Sequence, residues 1–159
     1  MAYWLIKSEP DVYGIDTMER EGIGIWDGVR NYQARNYLKA MQVGDYAFFY
    51  HSNAKPPGVI GLVRIVEVMV VDPTQFDPES EYFDPKSSPD APRWHTVKCQ
   101  YVETLPQIVD LETLRSHFEP DDLLVVKRGT RLSVIPVADD PAQRLLALGQ
   151  FKTGFVRRA

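Results

Sequence analysis

The chain has 159 residues, of which 44% are hydrophobic and 25% are charged, an ordinary globular composition that is long enough for one domain with a substantial core. Its net charge of −4 argues against a protein that coats long nucleic acid by charge alone. A single cysteine, Cys99, excludes an internal disulfide framework. Since the sequence also shows no signal-peptide pattern and no bilayer-spanning apolar run, we expect a cytoplasmic protein that does not cross a membrane.

Strands and helices can be placed in chain order from composition and periodicity. Runs rich in aromatic and β-branched residues predict strands at residues 3–7, 46–51, 59–71, 94–102 and 131–136, and Gly61 is a candidate bulge in the third. Helical spacing predicts a short helix from Ile15 to Gly22 and longer helices whose caps are Asn31, Asp110 and Asp140. Residues 123–127 fit either a strand or a helix end.

Charge is distributed unevenly along the chain. Residues 66–92 carry seven acids against one base, and the part after residue 71, rich in Pro, Asp and Ser, predicts a long surface loop. Residues 127–159 carry seven bases against two acids, a balance of +5. We expect one domain over residues 1–150, followed by a loose basic tail over residues 151–159.

The order of these elements indicates the fold class. Strands and helices do not alternate strictly, so a doubly wound parallel sheet is not expected. The sequence predicts an α+β domain built on a curved sheet or a small β-barrel, with helices packed at its side.

The stretch from Trp26 to Leu38 joins a helix to an unusually polar start. Asn31 is placed to cap the helix, Gly28 lets the backbone bend, and Trp26 and Arg30 lie beside the free N–H groups of the first turn. An indole, a guanidinium and an amide can stack on a planar ligand and hydrogen-bond to it. The plainer interpretation, a buried anchoring Trp26 and a capped helix, is equally open.

Catalytic and metal chemistry have little support in the sequence. Cys99 lies within a strand on the side of Val97, where a free cysteine is usually a small buried hydrophobe. His51, His95 and His117 have no partner at a recognisable spacing, and no His or Cys pair has the spacing of zinc ligands. We therefore expect no catalytic residue, no metal site and no cofactor.

Polar and aromatic side chains collect instead where predicted elements begin or end. Such a set suits one unstacked base, because aromatic rings stack on the base while amides, hydroxyls and an acid read its polar edges. The candidate base-binding residues are Lys7, Ser8, Glu9, Trp26, Arg30, Asn31, Tyr50, His51, Ser52, Asn53 and Trp94.

Three motifs in this chain resemble those of the EVE domain family. They read YWLIKSEP at residues 3–10, WDGVRNYQARN at 26–36, and GD with FFYHS at 44–45 and 48–52, and the resemblance extends to about residue 148. It implies a PUA-like fold, related to YTH domains, and a non-enzymatic nucleic-acid binder that accommodates modified bases such as methylated cytosines. It also implies that the pocket lies around the candidate residues above, to which Trp94 is added by analogy with the wall of an aromatic cage.

Three hypotheses of different classes follow. The leading one is a monomeric reader of a single modified base in DNA or RNA, in which Arg128 and Arg131 contact flanking phosphates. The competing interpretation of these two arginines is that they pair with Asp121 and Asp122. The second hypothesis is a sensor or enzyme that binds a nucleoside-like or anionic small molecule in the same pocket. The third is a protein-interaction module that uses the acidic loop.

Overall fold

The computed structural model describes residues 1–153, which are built around a six-stranded mixed sheet. The strands are β1 (Tyr3–Ser8), β2 (Ile23–Ile25), β3 (Tyr46–His51), β4 (Gly58–Val71), β5 (His95–Asp110) and β6 (Val134–Val137). Their order across the sheet is β2-β5-β4-β3-β1-β6, and β1 is parallel to β3 whereas the other neighbours are antiparallel. The predicted α+β class is confirmed, and within the described residues the curved sheet stays open rather than closing into a barrel.

The described residues also form five α-helices. These are α1 (Pro10–Tyr13), α2 (Ile15–Glu21), α3 (Tyr32–Ala40), α4 (Leu111–His117) and α5 (Asp139–Leu148). The predicted caps Asn31 and Asp110 are confirmed, since their side chains accept hydrogen bonds from the backbone N–H groups of Ala34 and Thr113. The cap predicted at Asp140 is wrong, because α5 begins at Asp139, its cap position is Ala138, two residues earlier, and it has no side-chain cap.

Both faces of the sheet are covered, so the strands serve two hydrophobic clusters. Leu5 and Phe48 belong to the first cluster, which also contains buried residues of α4 and α5. Ile6 and Phe49 belong to the second, which contains buried residues of α2 and α3. Because successive strand residues point to opposite faces, these strands are apolar at almost every position.

The parallel pairing of β1 with β3 determines where polar residues meet. Ser8 is paired with His51, so the two strands end at the same edge of the sheet. The N–H of Ser52 donates to the carbonyl of Ser8 at 3.0 Å, which brings the segments that leave the strands side by side. This edge, at the carboxyl ends of two parallel strands, is the geometry in which open sheets commonly bind ligands.

Three local expectations are refined by the structure. β5 continues to Asp110, well beyond the predicted end at residue 102. Residues 123–127 contain a 3-10 turn, Leu124–Val126. The bulge in β4 falls at Ile60, beside the predicted Gly61, where a Cβ atom would lie only 2.6 Å from the carbonyl oxygen of Glu103.

The segment between β4 and β5, residues 72–94, is hereafter the acidic segment. It is not the plain surface loop that its composition predicts. Gln75 is fully buried, and its side-chain amide donates to the carbonyls of Asp72 and Trp94 at 2.7 and 2.9 Å. Asp84 accepts from the indole N–H of Trp94 at 2.7 Å. Buried polar contacts order this segment without the apolar periodicity that reveals a helix or strand.

The predicted division at residue 150 falls inside a packed part of the chain. Phe151 is fully buried, with its ring edge-on to Phe48 at a centroid distance of 5.6 Å. The backbone N–H groups of Lys152 and Thr153 donate to the carboxylate of Glu103 at 3.1 and 3.0 Å. The first residues of the predicted loose tail are therefore held against the domain, and the rest, residues 154–159, lie outside the described residues.

Candidate functional site

A pocket of about 590 Å³ opens at the sheet edge where β1 and β3 end. Of the residues predicted to form a site, those that line it are Lys7, Ser8, Glu9, Trp26, Arg30, Ser52, Asn53 and Arg131. The lining residues that sequence reasoning missed are Val12, Tyr13, Ile25, Asp27, Gly28, Val29, Tyr82 and Ser133. The lining does not include Asn31, Tyr50, His51, Trp94 or Arg128.

Trp26 belongs to the pocket wall and to the core at the same time. It is only 7% exposed, and its ring lies edge-on to Phe49 and Tyr13 at centroid distances of 5.4 and 6.0 Å. Its backbone N–H donates to the carbonyl of Val97 at 3.0 Å, and its carbonyl accepts from the hydroxyl of Thr96. These contacts hold the indole rigidly, so Trp26 is both a core anchor and a fixed aromatic wall of the pocket.

Lys7 and Ser8 approach the pocket from the end of β1. The ammonium group of Lys7 lies 3.5 Å from the carbonyl of Thr130, and burial lowers the pKa of this amine. The hydroxyl of Ser8 donates to the carbonyl of Tyr13 at 2.5 Å, which fixes the end of α1 against β1. Lys7 therefore supplies a partly desolvated positive charge, while the proton of Ser8 is already used within the protein.

Glu9 and Asn53 form a polar pair at the pocket rim. The amide of Asn53 donates to the carboxylate of Glu9 at 3.0 Å, although the two residues come from different loops. Asn53 has a φ of 50°, in the left-handed region that asparagine tolerates better than most residues. The pair leaves the carbonyl of the Asn53 amide and the second oxygen of Glu9 as hydrogen-bond acceptors for a ligand.

Arg30 is bound by the acidic segment instead of being free for a ligand. Its Nη1 lies 3.1 Å from the carboxylate of Asp72, which is 2% exposed. Its Nη2 donates to Thr74 Oγ1 and its Nε to the carbonyl of Tyr82, both at 2.9 Å. The planar guanidinium satisfies several acceptors at once, as lysine could not. Arg30 therefore clamps the segment after Trp26 to the acidic segment and shapes the pocket wall.

Tyr82 lines the pocket, although its position in the acidic segment gave little indication of this. A Cβ atom on Gly28, whose φ is 81°, would lie 2.7 Å from the ring of Tyr82, so this close packing requires glycine. The guanidinium of Arg30 lies 5.7 Å from the centre of the same ring. Composition predicted solvent exposure for this part of the chain, and Gly28 was the only signal of a close neighbour.

The pocket lining contains both basic and acidic side chains, and burial disfavours the charged forms of Lys7 and Asp27. Burial, and secondarily the carboxylate of Asp72, raises the pKa of Asp27, whereas Arg30 opposes that rise. The cationic lining residues are Lys7, Arg30 and Arg131, and the acidic ones are Glu9 and Asp27. Since strongly charged ligands resist desolvation, this balance suits a neutral planar group with polar edges.

Asn31 and Tyr50 are used by the fold and lie outside the pocket lining. The side-chain oxygen of Asn31 caps α3 by accepting from the N–H of Ala34 at 2.9 Å. Tyr50 is 3% exposed in the first hydrophobic cluster, and the ammonium group of Lys7 lies 5.9 Å from its ring centre. Tyr50 therefore backs Lys7 from the core side.

His51 and Trp94 also have structural partners away from the pocket lining. His51 Nε2 accepts from the N–H of Ile15 at 3.1 Å, which requires an unprotonated nitrogen, and burial lowers the pKa of the ring. Trp94 is 5% exposed and stacks on Tyr32 at a centroid distance of 5.0 Å, with its indole N–H bound to Asp84. His51 holds the start of α2, and Trp94 joins α3 to the acidic segment.

Arg128 and Arg131 are both exposed, but only Arg131 lines the pocket. Among the described residues, neither forms a carboxylate pair within 4.0 Å, and Asp122 instead lies 3.5 Å from Arg144. The predicted competing pairing with Asp121 and Asp122 is therefore not found in this part of the chain. Arg131 is the better placed of the two arginines to reach a group that enters the pocket.

The described residues give no support for metal or thiol chemistry. They contain no group of three or more His, Cys, Asp or Glu residues arranged to hold a metal ion. Cys99 is fully buried, and burial raises the pKa of its thiol to about 12, which suppresses the thiolate. None of the helices in residues 1–153 has the length and apolar character needed to cross a membrane.

A sequence model of the EVE domain matches residues 2–148 of this chain. The chain belongs to the EVE domain family. Mouse thymocyte nuclear protein 1 is 38% identical to it in an alignment of 164 positions. The alignment covers 92% of this chain and 73% of the mouse protein. The resemblance inferred from the three motifs is thus confirmed across nearly the whole domain.

Solved structures share the architecture of this EVE domain. A Pseudomonas putida protein has 46% identity and a TM-score of 0.89, over 93% of this chain and 99% of its own. Human THYN1, solved in complex with DNA containing 5-methylcytosine, has 36% identity and a TM-score of 0.86, over 96% and 99% of the two chains. The Mmi1 YTH domain, at 12% identity and a TM-score of 0.56, shares the fold alone.

Proposed function

We propose that this EVE domain binds nucleic acid and holds a single modified base, with methylated cytosine as the first candidate, in the pocket at the ends of β1 and β3. The observation that carries the proposal is the pocket itself, in which the fixed ring of Trp26 stands among polar side chains that still offer hydrogen-bonding groups. The solved complex of human THYN1, a relative of the same fold, with DNA containing 5-methylcytosine supports the same ligand class.

The size of the pocket is consistent with one nucleotide. A volume of about 590 Å³ lies within the range of roughly 300–1,000 Å³ that small-molecule sites occupy. An entire duplex cannot enter such a space, so the target base must be unstacked or flipped out of a helix. Unstacking costs a few kcal/mol, which the stacking and hydrogen bonds inside the pocket have to offset.

The chemistry of the lining suits the polar edge of cytosine. The exocyclic amine of cytosine is a donor, and the ring presents acceptors beside it. Asp27 and Glu9 supply carboxyl oxygens that can accept from such an amine, and the hydroxyl of Ser52 can serve as a donor. A methyl group on the ring has apolar neighbours in Val12 and Val29.

We further propose that the domain binds its ligand without converting it and acts in the cytoplasm. Among the described residues, the lining contains no cysteine and no histidine, so its serines have no imidazole base within the lining to activate a hydroxyl nucleophile. The buried thiol of Cys99 is a packing residue and suits a reducing compartment. Incubation of purified protein with the bound oligonucleotide should return it unchanged by mass spectrometry, and a product that depends on Glu9 would contradict this.

The deciding experiment compares short oligonucleotides that differ only in one base. Fluorescence anisotropy would measure affinity for single and double strands of DNA and RNA that carry cytosine or 5-methylcytosine at the centre. We expect tighter binding of the modified strand and a smaller preference in Val29→Ala, which removes an apolar neighbour of the methyl group. Equal binding of both strands would refute base reading.

Salt dependence separates this proposal from a small-molecule sensor that uses the same pocket. Phosphate contacts make affinity fall as salt rises, whereas a free nucleoside should bind almost independently of salt. Binding of 5-methylcytidine as tightly as of the modified strand, without salt dependence, would favour the sensor.

A further inference from the structure

A cluster of basic and aromatic side chains on α3 and at the end of the acidic segment lies near the pocket residue Arg30. Tyr32 begins α3 and is 48% exposed, and its ring stacks on Trp94. The guanidinium of Arg35 lies 4.9 Å from the centre of the Tyr32 ring, and that of Arg93 lies 5.7 Å from it. We call the surface formed by the exposed Tyr32 and Lys39 and the half-buried Arg35 and Arg93 the arginine–tyrosine face.

Trp94 connects this face to the pocket. The guanidinium of Arg30, a pocket residue, lies 5.1 Å from the Trp94 ring centre, and that of Arg35 lies 5.7 Å from it. The pocket residue Arg30 and Arg35 of the arginine–tyrosine face therefore both contact the ring of Trp94, which itself does not line the pocket.

The face carries positive charge that the described residues do not neutralise. Arg30 is paired with Asp72 at 3.1 Å, and Arg93 with Asp84 at 3.5 Å. No carboxylate of the described residues pairs with Arg35 or Lys39, which are one turn apart on α3. Burial lowers the pKa of the neighbouring His95, and the positive charges of Lys39 and Arg35 lower it further.

The two arginines are held in place before any partner arrives. Arg35 Nη1 donates to the carbonyl of Arg93 at 2.9 Å, and Arg93 donates to the hydroxyl of Tyr32. Stacking on aromatic rings restricts both guanidinium groups further. Because long side chains usually lose rotamer freedom on binding, this arrangement lowers the entropic cost of gripping an anion.

We propose that the arginine–tyrosine face binds the phosphate backbone of the strand that flanks the base held in the pocket. This inference rests on the proposed function and adds a second contact surface, distinct from the Arg131 side of the pocket. The half-buried guanidinium of Arg35 and the exposed ammonium of Lys39, one helical turn apart, suit successive phosphates of a nucleic-acid strand. Such contacts contribute affinity without base identity.

The test removes the charges of Arg35 and Lys39, which have no carboxylate partner among the described residues, and keeps the pair of Arg30 with Asp72 intact. Arg35→Gln with Lys39→Gln should weaken strands with cytosine and with 5-methylcytosine by the same factor. The slope of log affinity against log salt should flatten by about 0.7–0.9 for each lost contact. The matched control is Arg64→Gln with Lys152→Gln, which removes the same charge from exposed positions next to residues of the first cluster, away from α3. This control should keep the wild-type slope.

The outcomes separate this inference from the proposed function. Failure of the wild-type protein to prefer the modified strand refutes base reading, whereas the salt slopes of the variants still decide whether the face binds phosphates. A double variant that matches the control overturns the inference while wild-type binding stands. Competition by polyglutamate that equals that of an unmodified strand of the same charge would identify a general surface for acidic proteins and also overturn it.

Discussion

At the scale of single residues, Trp26 serves the core and the pocket together, and the two roles can be separated by substitution. Trp26→Ala removes a buried indole that contacts Phe49 and Tyr13, so we expect a loss of about 3–5 kcal/mol in unfolding free energy. Trp26→Phe keeps an aromatic core contact and should lose less stability, but it presents a smaller ring to a base. Urea unfolding and anisotropy on the same samples would measure both effects.

Trp4→Phe is the matched control for Trp26→Phe. Trp4 is 6% exposed, its indole N–H donates to Asp45 at 3.0 Å, and it does not line the pocket. This substitution should reduce stability and leave affinity for the modified strand unchanged. If Trp26→Phe also left affinity unchanged, Trp26 would be a core anchor and not a stacking platform.

Arg30 is predicted to act through the pocket's shape and not through a ligand contact. Arg30→Met leaves the carboxylate of Asp72 buried without its cation, and breaking a buried pair in this way costs about 3–5 kcal/mol. Adding Asp72→Asn should recover part of that loss, because the unpaired charge is removed as well. A double-mutant cycle in urea would measure the coupling, and a loss of binding with no loss of stability in Arg30→Met would contradict this role.

The sequence could predict which kinds of side chain line the pocket better than it could predict what each side chain contacts. Lys7, Glu9 and Ser52 were predicted because they leave strands whose ends the periodicity locates, and all three line the pocket. Arg30 was found because it begins a helix segment, but its binding to Asp72 depends on a contact across more than forty residues. Sequence periodicity reports neighbours within an element and carries no information on such distant partners.

At the scale of elements, His51 connects β3 to α2 and makes the attachment of that helix depend on pH. Its Nε2 accepts from the N–H of Ile15, and burial lowers its pKa from the ordinary value of 6.5, with Asp16 opposing. A depressed pKa stabilises the fold above the unfolded-state value, and this stability is lost as pH falls through the folded-state value. We expect the free energy of unfolding to decrease as pH falls below about 6.5.

Unfolding by urea at several pH values between about 5 and 8 would test this dependence. His51→Gln should reduce the pH dependence, since it removes the titrating ring. His117→Gln is the control, because His117 is exposed on α4, far in sequence from α2. If the wild-type protein and His51→Gln showed the same pH dependence, the titration of His51 would not contribute to the free energy of unfolding.

The elements themselves were mostly predictable, and the exceptions share one cause. α3 and β3 follow from caps and apolar runs, and the structure confirms both. The acidic segment was misjudged because its order comes from polar contacts within the segment, made by Gln75, Asp72 and Asp84, that follow no helix or strand period. Phe151 was assigned to a tail because a lone aromatic after a helix has no periodic context.

At the scale of the whole molecule, basic groups lie on two sides of one pocket in a protein of net charge −4. Much of the negative charge near the site is internal: Asp72 binds Arg30 and Asp84 binds Arg93. These two carboxylates are therefore neutralised within the protein, whereas Glu9 and Asp27 remain as the acidic residues of the pocket lining. A protein arranged in this way should hold a short strand locally and should not coat long nucleic acid.

On the Arg131 side of the pocket, substitutions can separate contacts that recognise the base from contacts that bind phosphate. Arg131 lines the pocket whereas Arg128 does not, so Arg131→Gln should flatten the salt slope by about 0.7–0.9 and Arg128→Gln should change it less. Both substitutions should weaken modified and unmodified strands equally, because a phosphate contact carries no base identity. Val29→Ala should do the opposite, reducing the preference for 5-methylcytosine at an unchanged slope, because it removes an apolar neighbour of the methyl group. If Arg131→Gln changed the preference and kept the slope, its guanidinium would read the base itself.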